Sequence, residues 1–197
     1  MTPVRATLRQ SLAALRLLLV MTVVLGLAYP LVVAGVALAL PARASGSLVT
    51  DASGAVVGSR LLGQANDDAA WFHPRPSVSG YDPLASGGSN LGPNDADLLA
   101  TVEERRAAVA AQEGVDPDDV PPDALTASGS GLDPDISPAY ARLQVARVAR
   151  ERGLPAEAVG DLVEEHVEGP MLGFVGAASV NVLELNLALQ ALGTPEG

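Results

Sequence analysis

Residues 17–40 form an apolar run with no charged position, and Arg16 and Arg43 bracket it. At about 1.5 Å rise per residue such a run makes about 36 Å of helix, enough to cross a hydrocarbon layer of about 30 Å with some tilt. Pro30, near its middle, is expected to kink this helix locally without breaking it. Behind it the pattern changes to short amphipathic segments. Two β-branched stretches, residues 46–50 and 55–59, flank Asp51-Ala52-Ser53-Gly54 and predict a hairpin. A helix is expected from Asn94 or Asp95 to Gly114, with Leu98, Val102 and Val109 on its apolar stripe and Asp97 in its first turn.

The clearest helical signal follows Ser137, an N-cap residue with Pro138 at the first helical position and Gly153 as the stop. Ala141, Val145, Val148 and Ala149 make its buried stripe, and Tyr140, Gln144, Arg147 and Glu151 share the adjoining face. A third helix is expected from Pro155 to about Glu168, with Val159, Leu162, Val163 and His166 on one side. A last one, from about Asn181 to Leu192, closes the core with Val182, Leu185 and Leu189. The fold class expected is α+β, helix-dominated, behind one transmembrane helix. The organisation is a short N-terminus (1–16), a span (17–40) and a single domain (41–197).

A secretory signal peptide is the rival reading of the N-terminus, with Arg5, Arg9 and Arg16 as its positive region and Ala42-Arg43-Ala44 as a cleavage site. Its apolar core would be about 7–15 residues, shorter than the run seen here, which favours a retained anchor. Three arginines and no acidic residue precede the span, so the positive-inside bias keeps the N-terminus cytoplasmic and places the domain outside.

Charge sharpens that picture. All 23 acidic residues lie behind the span, with nine of the twelve arginines, so the domain carries 9 − 23 = −14. Such a surface repels nucleic acid and anionic lipid and keeps the domain soluble. The chain has no cysteine, which excludes disulfides, thiolate metal sites and cysteine nucleophiles.

The candidate chemistry is sparse. Gly-rich loops at residues 86–93 and 126–134 lack the Gly-Lys-Ser/Thr of a phosphate loop, and Asp133 and Asp135 stand where a phosphate would come. They read as turns that position helices. The acidic stretch 116–123 lacks the glycine and terminal glutamate of a calcium loop and reads as solvated surface. His73 and His166, without cysteine or a His-x-x-x-His spacing, do not make a zinc site, and His166 reads as a hydrogen-bonded residue at the edge of the core. Ser128 and Ser130 belong to no Gly-x-Ser-x-Gly elbow. In Trp71-Phe72-His73-Pro74-Arg75-Pro76-Ser77 the alternating prolines forbid helix, and Arg75 is placed either to anchor a partner or to meet a nearby carboxylate. Gln144 lies beside an apolar stripe, where it can cap a loop carbonyl.

Several blocks, in order, resemble the C subunit of the Kdp potassium-transporting ATPase. They are Gly58-Ser59 with Leu62-Gly63-Gln64, Phe72 with Arg75-Pro76-Ser77, the run Ser86 to Asn94, and the run Thr126 to Pro134 with Ile136-Ser137-Pro138. Gln144 with Arg147-Val148-Ala149, and Val180-Asn181-Val182-Leu183 with Leu185-Asn186-Leu187-Ala188-Leu189, complete them. The chain departs from the family pattern at Asp135, where His is common, at Ala146, where Pro is common, and before Val180, where Arg is usual.

The resemblance implies an accessory, non-catalytic subunit of a high-affinity potassium uptake pump in the bacterial inner membrane. Its expected partners are a channel-like potassium-translocating subunit, a P-type ATPase subunit and a small single-span subunit. ATP and K+ act in the complex, and no cofactor is bound firmly by this chain. No catalytic or metal-ligating residue is expected. Arg75, Ser89, Asn90, Ser128, Asp133, Gln144, Arg147 and Asn181 are implied as structural or interface positions. A nucleotide-affinity-raising role, resting on the serine–glycine loop and on Gln144, is implied as one alternative. A solitary membrane-anchored binding module is the other.

Overall fold

The computed structural model describes residues 3–51 and 53–193, which divide into two compact units meeting in sequence between Ser47 and Leu48. The first unit is helical. Helix α1 (Pro3–Val23) passes through a five-residue π turn (Val24–Ala28) into α2 (Tyr29–Ala39), followed by the short α3 (Pro41–Ala44). The helix thus begins well before the uncharged run, and within Thr7–Ala39 its most apolar 18-residue window has a mean hydropathy of 2.5. Pro30 has no N–H to donate, and the wider turn lies immediately before it. There the Tyr29 N–H reaches back five residues to the Val24 carbonyl.

The second unit opens with the expected hairpin, β1 (Leu48–Thr50) against β2 (Val56–Ser59), antiparallel with an irregularity between Val49 and Thr50. Asp51 organises its turn, its Oδ1 accepting from the N–H groups of Ser53 at 2.8 Å and Ala55 at 3.0 Å. Helix α4 (Ala96–Glu113) is capped by Asp95 and stopped by Gly114 at φ +71°. A 3₁₀ turn (Pro117–Asp119) and α5 (Pro122–Leu125) follow. The acidic stretch is therefore folded: Val120 is buried, and the Asp123 carboxylate accepts from the Ser137 N–H at 2.7 Å and its hydroxyl at 2.8 Å.

Strand β3 (Asp135–Ile136) leads into α6 (Pro138–Arg152), which has the Ser137 cap, Pro138 start and Gly153 stop read from the sequence. Helix α7 (Ala156–Glu165) ends earlier than expected, because Val167 and Glu168 form β4 instead. Strand β5 (Ser179–Asn181) runs into α8 (Val182–Leu192), whose N-cap is Asn181. The three strands pair antiparallel in the order β3-β5-β4, with Val180 between Ile136 and Val167. This sheet is a feature the sequence pattern missed, since two-residue strands carry no readable alternation.

Val148, Val159, Val163, Val180, Leu185 and Leu189 have no exposed surface and join α6, α7, α8 and the sheet in one core with Phe72. Of the face noted on α6, Tyr140, Gln144 and Arg147 point inward and Glu151 is exposed.

Candidate functional site

After a turn at residues 69–70, the stretch from Phe72 to Pro76 lies against the core in no strand and no helix, with Phe72 and Pro74 buried. Pro74 and Pro76 lack N–H groups, so this stretch cannot join a ladder, and its buried polar backbone needs side-chain partners. Two amides and a guanidinium provide them. Gln144 on α6 accepts from the His73 N–H at 2.7 Å and donates to the His73 carbonyl at 3.1 Å. Asn186 on α8 does the same one residue earlier, accepting from the Phe72 N–H and donating to its carbonyl, both at 2.9 Å. Arg147 donates through Nη1 to the carbonyls of Ala69 and Trp71, the latter at 2.9 Å.

Arg147 is itself fully engaged. Its Nη2 donates to Gln144 Oε1 at 2.8 Å, and its Nε lies 2.9 Å from Glu113 Oε1 and 3.1 Å from Oε2. The ion pair has about 1% exposure on each side. Burial pushes the Glu113 carboxyl above its ordinary range, and the Arg147 hydrogen bonds and charge act in the opposite direction. Glu113 ends α4, so the pair ties α4 to α6 beneath that stretch.

His73 lies half-buried beside this cluster. Its Nδ1 is 3.1 Å from Gln112 Nε2 and its Nε2 3.0 Å from the Asp68 carbonyl, an arrangement that the neutral Nε2–H tautomer satisfies. Burial holds the imidazole below its ordinary pKa and the Arg147 charge adds to this, while the Asp68 carbonyl and the charges of Asp67 and Asp68 oppose it. The Tyr81 hydroxyl donates to the Arg75 carbonyl, and burial pushes its pKa up to about 12.

Beyond Pro74 the chain reaches a second constellation. Arg75 Nη1 lies 2.9 Å from Asp133 Oδ2, and Nη2 donates to the Thr126 carbonyl at 3.3 Å. Of the two roles open to Arg75 in the sequence, the structure shows the carboxylate contact. Asp133 Oδ1 in turn accepts from the Asp135 N–H at 3.1 Å. Asn181 donates to Asp135 Oδ1 and to the Arg60 carbonyl, each at 3.0 Å, while its own oxygen caps α8 on the Glu184 N–H at 3.2 Å. Burial raises the Asp135 pKa, with Asp133 adding to the rise and Asn181 opposing it.

The two Gly-rich loops lie together. Ser128 is buried and donates from its N–H to the Pro76 carbonyl at 3.2 Å, and Gly87 donates to the Ser130 carbonyl at 2.8 Å. Ser77 Oγ donates to the Gly131 carbonyl at 2.6 Å rather than to any base. Ser89 and Asn90 stand apart on the exposed part of the first loop, Asn90 at φ +55°.

The expected positions therefore fall in three places. Gln144 meets Arg147; Arg75 and Asp133 connect to Asn181 through Asp135, with Ser128 bonded to Pro76 next to Arg75; Ser89 and Asn90 join neither. A groove of about 590 Å³ opens beside the second group, lined by Arg75, Asp123, Asp133, Asp135 and Ser179. Among the described residues no group of three or more His, Cys, Asp or Glu is placed to hold a metal ion. Sequence reasoning missed Glu113, a charge at a helix end that reads as solvated, and Asn186, whose only signal was its place inside an apolar block.

Comparison with known proteins bears on the whole chain. The family described as KdpC, K+-transporting ATPase, c chain, matches residues 11–191. A potassium-transporting ATPase KdpC subunit of Kineococcus radiotolerans is 60% identical over 186 residues, covering 93% of this chain and 94% of that protein. Its counterpart in Cereibacter sphaeroides is 53% identical, covering 91% and 96%, and that of Streptomyces coelicolor 48%, covering 93% and 92%. Membership implies a Kdp ATPase complex with other subunits, and the one helix near the N-terminus that, among the described residues, is long and apolar enough to cross a membrane accords with membrane association. The chain belongs to the KdpC family, the c chains of the K+-transporting ATPase.

Proposed function

We propose that this chain is an accessory, non-catalytic subunit that holds the ion-conducting and ATP-hydrolysing subunits of the pump together. The observation that carries this reading is the fate of its buried polar groups. Gln144 and Arg147 are buried and Asn186 half-buried, and their side chains hold residues 69–73, while the buried Glu113 holds Arg147. Gln144 has no exposed surface, so a nucleotide would reach it only after that stretch had lifted away. The proposed partners are the channel-like subunit, the P-type ATPase subunit and a small single-span subunit. The arginine-rich N-terminus faces the cytoplasm, and the acidic domain sits outside, over the external face of the channel-like subunit.

Two measurements test it. Ser53, exposed in the hairpin turn of a cysteine-free chain, is replaced as Ser53→Cys and whole cells are treated with a membrane-impermeant thiol reagent. Labelling of intact cells is the expected result; labelling only after lysis overturns the orientation. In parallel, the tagged full chain should co-purify with the channel-like and ATPase subunits, and recovery alone would favour the solitary binding module.

A further inference from the structure

A cavity of about 300 Å³ opens between residues 66–81, α4 and α6, and shares no residue with the groove beside Asp133 and Asp135. Pro74, Pro76 and Val109 give it an apolar wall. Tyr140 reaches it from α6 with only 5% of its surface exposed. The Tyr140 N–H is taken by Ser137 Oγ, but among the described residues no group accepts from its hydroxyl. Nor is that hydroxyl sealed in the core, because the one wholly buried side-chain atom without a partner among the described residues is Arg75 Nε. It therefore opens into the cavity. Burial holds the phenol well above its ordinary pKa, so it stays a donor. A polar group turned inward from a core helix ordinarily has a partner, and this one has only the cavity to supply it.

Arg105 brings a second donor. It lines the cavity from α4, half-buried, with Nη1 donating to the Leu125 carbonyl at 2.9 Å and its other N–H groups taken by no described residue. Tyr81 stands near both, since the Arg105 charge acts on its ionisation and it acts in turn on that of Tyr140. Asn66 accepts from the Asp68 N–H at 3.2 Å, which leaves its amide nitrogen as a neutral third donor. The remaining polar groups are committed: Tyr81 donates to the Arg75 carbonyl, Ser77 to the Gly131 carbonyl, and both His73 nitrogens are occupied. Unused donors, one of them cationic, beside an apolar wall are the complement of a carboxylate on an apolar body. Asp67, exposed at the rim, and a domain of −14 (9 − 23) oppose a second negative charge, which disfavours phosphate and nucleotides.

We infer that this cavity binds a small organic monocarboxylate, with its carboxylate held by Arg105 and the Tyr140 hydroxyl and its apolar body packed on Pro74, Pro76 and the Tyr81 ring. Such a ligand joins α4 to α6 through groups that the fold leaves unused. The site needs neither a partner subunit nor a nucleotide, so it stands apart from the subunit role proposed above.

The test uses the full chain in detergent, with radiolabelled benzoate as the probe in equilibrium dialysis at matched chloride. Saturable binding is expected below about 10 mM. Tyr140→Phe removes only a hydroxyl that no described residue holds, so it should keep the wild-type unfolding midpoint and weaken binding by about tenfold. Arg105→Gln should weaken it at least as much. A gain is expected from Asp67→Asn, which takes the negative charge off the rim and should tighten binding severalfold. Absence of saturable binding, or binding undiminished in Tyr140→Phe, overturns the inference. Phosphate held as tightly as benzoate, or Asp67→Asn binding no more tightly than wild type, overturns the assignment to a monocarboxylate.

Discussion

The side-chain amide of Gln144 lies against His73 as the peptide group of a neighbouring strand would, accepting at 2.7 Å and donating at 3.1 Å. Asn186 repeats the arrangement on Phe72, so two adjacent residues of one stretch are bound from two different helices. Replacing either amide strands a buried N–H and a buried carbonyl. Gln144→Ala and Asn186→Ala are each expected to cost about 1–3 kcal/mol. Thermal unfolding of the full chain in detergent, followed by the fluorescence of its one tryptophan, Trp71, reads both. Because Gln144 is spent in this way, millimolar ATP should leave the wild-type midpoint unmoved, and a clear upward shift would revive a nucleotide contact.

Arg147 and Glu113 should differ in what their loss does. Arg147→Met leaves a carboxylate alone at about 1% exposure, together with the carbonyls of Ala69 and Trp71, and is expected to cost about 3–5 kcal/mol. Glu113→Leu leaves Arg147 its carbonyl partners and the Gln144 oxygen, so the loss should be smaller. In Arg147→Met the lone carboxyl loses the partner that opposed its upward shift. The native state then holds that proton to higher pH than the unfolded chain, and stability falls as pH rises through the interval above the ordinary glutamate value. Urea midpoints of the variant between pH 5 and 8 should decline accordingly.

His73 gives the opposite slope. Its native pKa lies below the ordinary value of 6.5, so the unfolded chain binds the proton more readily. Stability is therefore fully present above pH 6.5 and is lost as pH falls from there toward the native value. His73→Gln should flatten this part of the profile relative to wild type, and an unchanged slope would assign the dependence to other groups.

Gly131 is the point where the two Gly-rich loops cannot separate or swell. It sits at φ +68°, and a Cβ there would lie 2.6 Å from Ser79 Oγ and 2.9 Å from the Gly87 carbonyl. Gly131→Ala combines left-handed strain with a backbone collision and should cost about 1–3 kcal/mol. The neighbouring Gly129, with open space around its Cβ position and no positive φ, should accept alanine at far smaller cost.

The sequence was most legible where chemistry is local. Ser137 caps its helix as read, the helices expected to start near Asp95 and Asn181 are capped by those residues, and Gly114 and Gly153 end theirs, because capping depends on a few consecutive residues. The limit of α7 was misjudged because Val167 and Glu168 suit a helix until β5 arrives to pair with them, from a distance in sequence that no periodicity reports. Asp123 was read as solvated although it binds Ser137 across fourteen residues, and Glu113 gave no sign of its partner on α6. Gln144 and Arg147 were visible as a shared face. Their targets were not, since a side chain that grips backbone leaves no pattern in the side chains of the segment it grips.

The π turn at Val24–Ala28 places one residue more in its loop than an α-helical turn holds. One added residue rotates everything beyond it by about 100° about the helix axis. Residues before Val24 and after Ala28 thus belong to two separate azimuthal registers, although the helix has no break. A straight line drawn along one face up to the turn meets a different set of side chains beyond it. The first unit is in this sense a rod of two registers, one along Pro3–Val23 and another along Tyr29–Ala39.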